Sequence, residues 1–190
     1  SFSLTYSDFL KSKDYLKRYS EEVYMNIMPE RQRGSYVSDN TGAVGLSEIC
    51  SRARKDDYKV LFSGQGADEI FSDYGFNGTK YTKHSSFGGL VPGDLNAVFP
   101  WRNFYSGAQR AYLDKEEVVA GSWGVETRYP FLDTKLVQEF LWLSPALKNS
   151  YYKAPLREYL VRNGYPYSAG EKIGFTPDLF TVADKLTARA

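Results

Sequence analysis

A single cysteine, Cys50, and a single histidine, His84, stand in 190 residues. One cysteine excludes an intrachain disulfide framework, and neither residue alone builds a zinc site. This favours a reducing compartment. An excess of charge is also missing: 24 Lys and Arg face 23 Asp and Glu, a net charge of +1. Nothing in that balance calls for nucleic acid or a membrane surface. Long apolar runs are absent too. A run such as Phe140–Leu143 is far too short to cross a bilayer. No signal-peptide pattern opens the sequence, and a start at Ser1 fits a processed or partial polypeptide. Aromatic residues are plentiful instead, with 16 Tyr and 12 Phe. Rings in that number point to a core and interfaces rather than to a nucleotide-stacking surface. The length suits one domain with a sizeable core.

Along the chain, Tyr15, Leu16, Tyr19, Val23 and Ile27 fall near helical spacing, so residues 8–28 are expected to form one or two helices ended by Pro29. "ERQRGSYVSDN" reads as a solvated loop rather than an anion site. Leu46, Ile49, Cys50 and Ala53 follow an i, i+3, i+4, i+7 pattern, which predicts a helix over 41–54 behind the capping cluster 38–41. Cys50 lies on that stripe and is expected in the core. Lys59–Phe62 reads as a short buried strand. Residues 76–107 are rich in Gly, Ser, Phe and Pro and read as mostly loop, longer than ordinary connections. Within it, "SSFGGL" (85–90) imitates a phosphate loop but follows no convincing strand, and it is read as a turn. His84 has no second His or Cys nearby to serve a metal or a triad. Helix returns over 108–120, Asp133 caps another through Leu141, and Pro155 opens a third that Gly164 stops. A last short helix is expected after Pro177. The sequence as a whole predicts a mostly helical chain with few strands.

The segment that carries chemistry is "KVLFSGQGADEIFSDYG", residues 59–75. A strand ending in Ser63-Gly64-Gln65-Gly66 and feeding a helix near Ala67 would offer backbone N–H groups to an anion, which a helix dipole favours. Glycine matters there because only a residue without Cβ permits close backbone approach or positive φ. By spacing alone S-G-x-G is neither a P-loop nor a dinucleotide fingerprint, so nucleotide contact and structural turn stand level. Asp68 and Glu69 likewise have two readings. They complement the dipole, or Asp68 holds Mg²⁺ against a pyrophosphate.

"VLFSGQGADEIFSDYG", "GSWGVETRYPFLDTKLVQEF" and "EKIGFTP", in that order, resemble the C-terminal synthetase domain of asparagine synthetases, a superfamily shared with β-lactam synthetase. The resemblance covers most of residues 36–177, with 1–35 a helical N-terminal segment and 178–190 a tail. It implies α/β ancestry of the ATP-pyrophosphatase type (adenine nucleotide α-hydrolase-like), although the chain is predominantly α-helical. It also implies an activity: a carboxylate is adenylated with Mg·ATP, then ammonia or an internal amine displaces AMP. By position, Ser63, Gly64 and Gly66 match the nucleotide-binding loop, and Asp68 an acidic residue near Mg·pyrophosphate. Gln65 falls where the family usually carries a glutamate implicated in the acyl-adenylate chemistry. Lys172 matches the lysine that stabilises developing phosphate charge. Glu126 and Arg128 are assigned to a buried ionic framework behind the site, and Trp123, Pro130 and Phe131 to packing.

Two departures accompany the resemblance. The family's S-G-G-x-D-S loop is not found, and neither are the first strands or the glutaminase domain. Gln65 keeps the glutamate's shape and an acceptor but not its charge. Three functions follow: a synthetase completed by parts outside these residues, an inactive half-domain kept as a subunit of a larger assembly, or a nucleotide-binding regulatory module. Each leaves an apolar face, so a partner polypeptide is expected to cover the edge at Lys59–Phe62, with no nucleic acid and no membrane insertion. The resemblance implies a cytoplasmic protein, with organelle import the alternative for a processed N-terminus.

Overall fold

The computed structural model describes residues 4–21, 24–25, 35–167 and Phe175. The chain divides into two compact units. Among the described residues, the first holds those up to Leu61, Asp114–Arg128 and Phe175, and the second holds Phe62–Leu113 and Tyr129 to 167.

In the first unit, Thr5 and Asp8 form a reciprocal capping box that starts α1 (Tyr6–Tyr19). The helix ends earlier than its spacing predicts. Ser20 turns extended, and its N–H and hydroxyl both donate to the Leu16 carbonyl, which satisfies the frayed end. Tyr24–Met25 (β1) then pairs antiparallel with Ser35–Tyr36 (β2), where helix was expected. α2 (Thr41–Lys55) begins where the capping cluster predicts, with the Asn40 side chain accepting from Ala43 N at 2.9 Å. Its buried face is built of small residues, Gly42, Ala43, Gly45 and Ser47. Phe9, Leu16, Val37, Val44 and Val119 pack into one cluster, each burial contributing about 1.5–3 kcal/mol. Tyr15 stacks on Trp123 with centroids 3.7 Å apart, and the Trp123 N–H donates to Ser47 Oγ at 2.9 Å. Cys50 is fully buried in a second cluster with Ala120 and Val125. Burial and the nearby Glu116 charge push its thiol up to about 12. It is a core residue, as its stripe predicts.

β3 (Val60–Phe62) forms, hydrogen-bonded to β6 (Glu126–Arg128), but it is not the buried strand expected of it. Val60 is 44% and Phe62 79% exposed. Glu126 and Arg128 do pair, yet at 51% and 58% side-chain exposure they form a surface ion pair and not a buried framework. On alternate positions of a two-strand ribbon both side chains share the open face, while Thr127 between them is the buried residue.

The second unit opens with turns rather than the helix predicted from Ala67. β4 (Gly75–Phe76) and β5 (Thr79–Lys80) make a hairpin around Asn77-Gly78, both at positive φ, as a two-residue I′ turn requires. Residues 81–101 are loop, apart from a 3-10 turn at Leu95–Ala97. The Asn149 side chain accepts from Val91 N at 2.9 Å and donates to Val91 O at 2.8 Å, as a neighbouring strand would. α3 (Arg102–Tyr105) leads into α4 (Gly107–Ser122), whose residues from Asp114 belong to the first unit. After β6 and a 3-10 turn at Pro130–Leu132 come α5 (Thr134–Trp142), α6 (Pro145–Lys148) and α7 (Ala154–Arg162). Asp133 caps α5, and Gly164 lies at φ +67 just past α7, both as predicted. Ile70, Phe71, Trp101 and Phe140 form the core, with Phe131, Leu132 and Leu156 around them. No described helix is long and apolar enough to cross a membrane. Lys172 and the helix expected after Pro177 lie outside the described residues.

Candidate functional site

Ser63 Oγ accepts the Gln65 N–H at 3.2 Å, and Ala67 N reaches back to the Gly64 carbonyl at 3.3 Å. These two bonds fold Ser63–Ala67 into a turn. Its two glycines serve different ends. Gly66 sits at φ +97, and a Cβ there would meet Leu132 Cδ2 at 2.4 Å, so backbone presses directly on the "PFL" turn. Two of the three sequence motifs thus meet at Gly66. Gly64 is exposed, and a Cβ built on it meets nothing within 4 Å.

Behind the turn lies Glu69, only 2% exposed. Its carboxylate accepts the Gly66 N–H at 2.8 Å and the Tyr74 hydroxyl. Trp101 Nε1 donates to the Glu69 carbonyl at 3.4 Å. Burial first, and the Glu69 charge second, push the Tyr74 phenol far up, so it stays a proton donor. The Gly66 N–H is therefore engaged from within. The sequence did not single out Glu69 as the clamp, although Gly66-x-x-Glu69 has the spacing of the back half of a capping box.

The absence of a helix at Ala67 has its cause further along the chain, at residues 85–87. Asp73, 1% exposed, accepts from Ser85 Oγ at 3.0 Å, Ser86 N at 3.0 Å and Phe87 N at 2.8 Å. Asp73 and Tyr74 take φ of 45° and 53° to make that reach, which no continuing helix allows. "SSFGGL" is a turn, as read, and its anion-cradling amides hold the chain's own carboxylate. Gly89 packs so closely that a Cβ would lie 1.8 Å from the Gly75 carbonyl oxygen.

Asp68 is partly exposed. Its Oδ1 takes both the Lys153 ammonium and the Tyr152 hydroxyl, the latter at 3.3 Å. Desolvation, then the Asp68 charge, push Tyr152 up to about 12. Neither Tyr152 nor Lys153 stood out in the sequence. The remaining signal was a lysine just ahead of Pro155, at the left-handed N-cap of α7 with φ 53. Asp68 already carries an ammonium, and among the described residues no three His, Cys, Asp or Glu side chains gather to hold a metal. His84 packs edge-on to Tyr74 and Tyr112, and burial, aided by Arg102, lowers its pKa. It meets no triad.

The structure thus brings Ser63, Gly64, Gln65, Gly66 and Asp68 together on one turn of the second unit. The family model described as asparagine synthase matches residues 8–110 and 101–165. The chain belongs to the asparagine synthase family, an ATP-dependent ligase family, and its predominantly helical fold carries α/β ancestry. Neither the curated proteins nor the solved structures gave a match.

Proposed function

We propose that this chain carries part of an ATP-dependent amide-forming site that works through an acyl-adenylate. The observation that supports this reading is the open face at Gly64, on a turn clamped from behind by Glu69. In this reading Ser63 and Gly64 lie against the nucleotide. A substrate carboxylate oxygen attacks the α-phosphorus and pyrophosphate leaves. A nitrogen nucleophile then attacks the acyl carbon and AMP departs. Gln65 is the turn residue beside the reacting carbonyl, where it offers an amide acceptor and no charge. By the resemblance, Lys172 is the residue assigned to offset the charge that develops as pyrophosphate leaves. The S-G-G-x-D-S loop comes from residues other than these.

ATP-dependent release of pyrophosphate from the protein and whatever co-purifies with it tests the reading. Release that disappears in Gly64→Val supports it. Release that persists in Gly64→Val overturns the role given to this turn.

A second reading draws on the exposure of Val60 and Phe62 on β3. Here the family half-domain is kept as a structural subunit, and a partner polypeptide covers that edge. Native mass analysis with peptide mapping distinguishes the two. A co-migrating polypeptide with the S-G-G-x-D-S loop favours the synthetase, and an assembly without it favours the subunit.

A further inference from the structure

The chain holds two Asn-Gly pairs, Asn77-Gly78 and Asn163-Gly164, and both lie exposed with the glycine at positive φ. In an Asn-Gly pair the backbone nitrogen attacks the side-chain amide most readily, because glycine has no Cβ to shield the approach. Sequence and exposure therefore rank the two pairs equally, and their hydrogen bonds separate them. Asn163 Nδ2 donates to the Tyr159 carbonyl at 2.8 Å, so its leaving group is tied to the last turn of α7. Gly164 N donates to the Val161 carbonyl at 3.2 Å and Tyr165 N to the Leu160 carbonyl at 2.9 Å, the paired bonds of a Schellman helix end. The nucleophile is thus bonded too, and the Tyr159 and Tyr165 rings stack with centroids 6.0 Å apart. Asn77-Gly78 has neither restraint. Neither the Asn77 side chain nor the Gly78 N–H meets a hydrogen-bond partner among the described residues. Attack requires the peptide plane after Asn77 to rotate, which opens the turn. The hairpin there pairs only Gly75 with Lys80 and Phe76 with Thr79, so its tip opens locally.

We propose that Asn77 is a self-modification site and that Asn163, in the same dipeptide, is protected. The Gly78 nitrogen bonds to the Asn77 side-chain carbonyl carbon and the carbon–nitrogen bond of the side-chain amide breaks. Ammonia leaves with the proton taken from the Gly78 nitrogen. Water then opens the succinimide at either carbonyl and gives aspartate or isoaspartate. The substrate is the chain itself, and water is the co-reactant. Conversion adds one negative charge to the hairpin tip, and the isoaspartate product adds a methylene to the backbone, which a two-residue turn cannot accommodate. Gly78 also rests on Gly88, where a Cβ would lie 2.7 Å from the Gly78 carbonyl carbon, so the change reaches the 85–89 loop.

The test is peptide mapping of the whole protein by mass spectrometry after incubation in mildly alkaline heavy-oxygen water, where ring opening leaves heavy oxygen in the new carboxyl group. The same incubation in urea supplies the unfolded rates. In the folded protein Asn77 should convert about tenfold or more faster than Asn163, the factor expected where two hydrogen bonds must break first. In urea the two rates should converge. The Gly88 amide, which donates to Ser85 Oγ at 2.7 Å, should exchange its hydrogen faster in the isoaspartate fraction. Equal rates in the folded protein, or faster conversion of Asn163, overturn the proposal. So does an Asn77 that stays intact in the folded protein and converts only in urea. Unchanged exchange at Gly88 overturns the reach into the loop.

Discussion

Glu69 accepts the N–H of Gly66 at 2.8 Å from a position only 2% exposed, so the glycine turn is held by a carboxylate no ligand can reach. Removing it leaves the Gly66 N–H and the Tyr74 hydroxyl buried without their acceptor. Each orphaned group costs about 1–3 kcal/mol. Glu69→Ala should therefore lose about 2–5 kcal/mol in urea unfolding, and Glu69→Gln clearly less, because the amide keeps one acceptor. Equal losses in the two variants would show that the carboxylate clamps nothing.

The two glycines of the turn should separate stability from binding. Gly66→Ala forces a Cβ at φ +97 into Leu132, and a loss of about 1–3 kcal/mol is expected, partly recovered by Leu132→Ala. Gly64→Val meets open space and should leave the melting temperature within about 2 °C of wild type while abolishing nucleotide binding. A Gly64→Val protein that melts much earlier would remove the distinction.

Asp73 should behave as the organiser of the 85–89 loop. Asp73→Ala strips Ser85, Ser86 and Phe87 of their common acceptor. Hydrogen exchange at the Ser86 and Phe87 amides should accelerate at least tenfold, with a loss of about 3 kcal/mol overall. Unchanged exchange at those two amides would rule the cradle out as an ordering device.

Stability should fall on the alkaline side. Cys50, Tyr74, Tyr112 and Tyr152 are all raised by burial, so the folded state keeps protons that the unfolded state releases. Their contribution is complete below the unfolded values, near 9 for the thiol and 10 for the phenols, and is lost as pH climbs. For Cys50 the window runs from 9.0 to about 12. His84 is lowered, so its contribution is present above about 6.5 and lost as pH falls. Melting temperature should therefore plateau between about pH 7 and 9 and drop above it, with Cys50→Ala flattening the drop. An equally steep drop in Cys50→Ala would remove the thiol from the account.

Local chemistry made some elements legible. Asn40, Asp133, Pro155 and Gly164 announce their helix ends because caps act within four residues. The stripe through Cys50 announced a core face for the same reason. Asn77-Gly78 was an available hairpin signal that the loop-like composition of 76–107 concealed. The helix expected at Ala67 failed through partners that spacing cannot display: Asp73 is drawn to amides at 86 and 87. Lys153 was silent for a like reason, since 85 residues separate it from Asp68 and only the fold joins them. The apolar letters of β3 suggested burial, but burial is decided by what lies alongside, and Phe62 stands 79% exposed.

Asn149 gives the long loop a fixed point, since one amide both donates to and accepts from Val91, 58 residues away. Aspartate offers no donor and leucine neither group, so few side chains can stand in its place. The tie cuts one wandering segment into two shorter spans and links its order to that of α6. Loop and helix should then open together, as a single cooperative step.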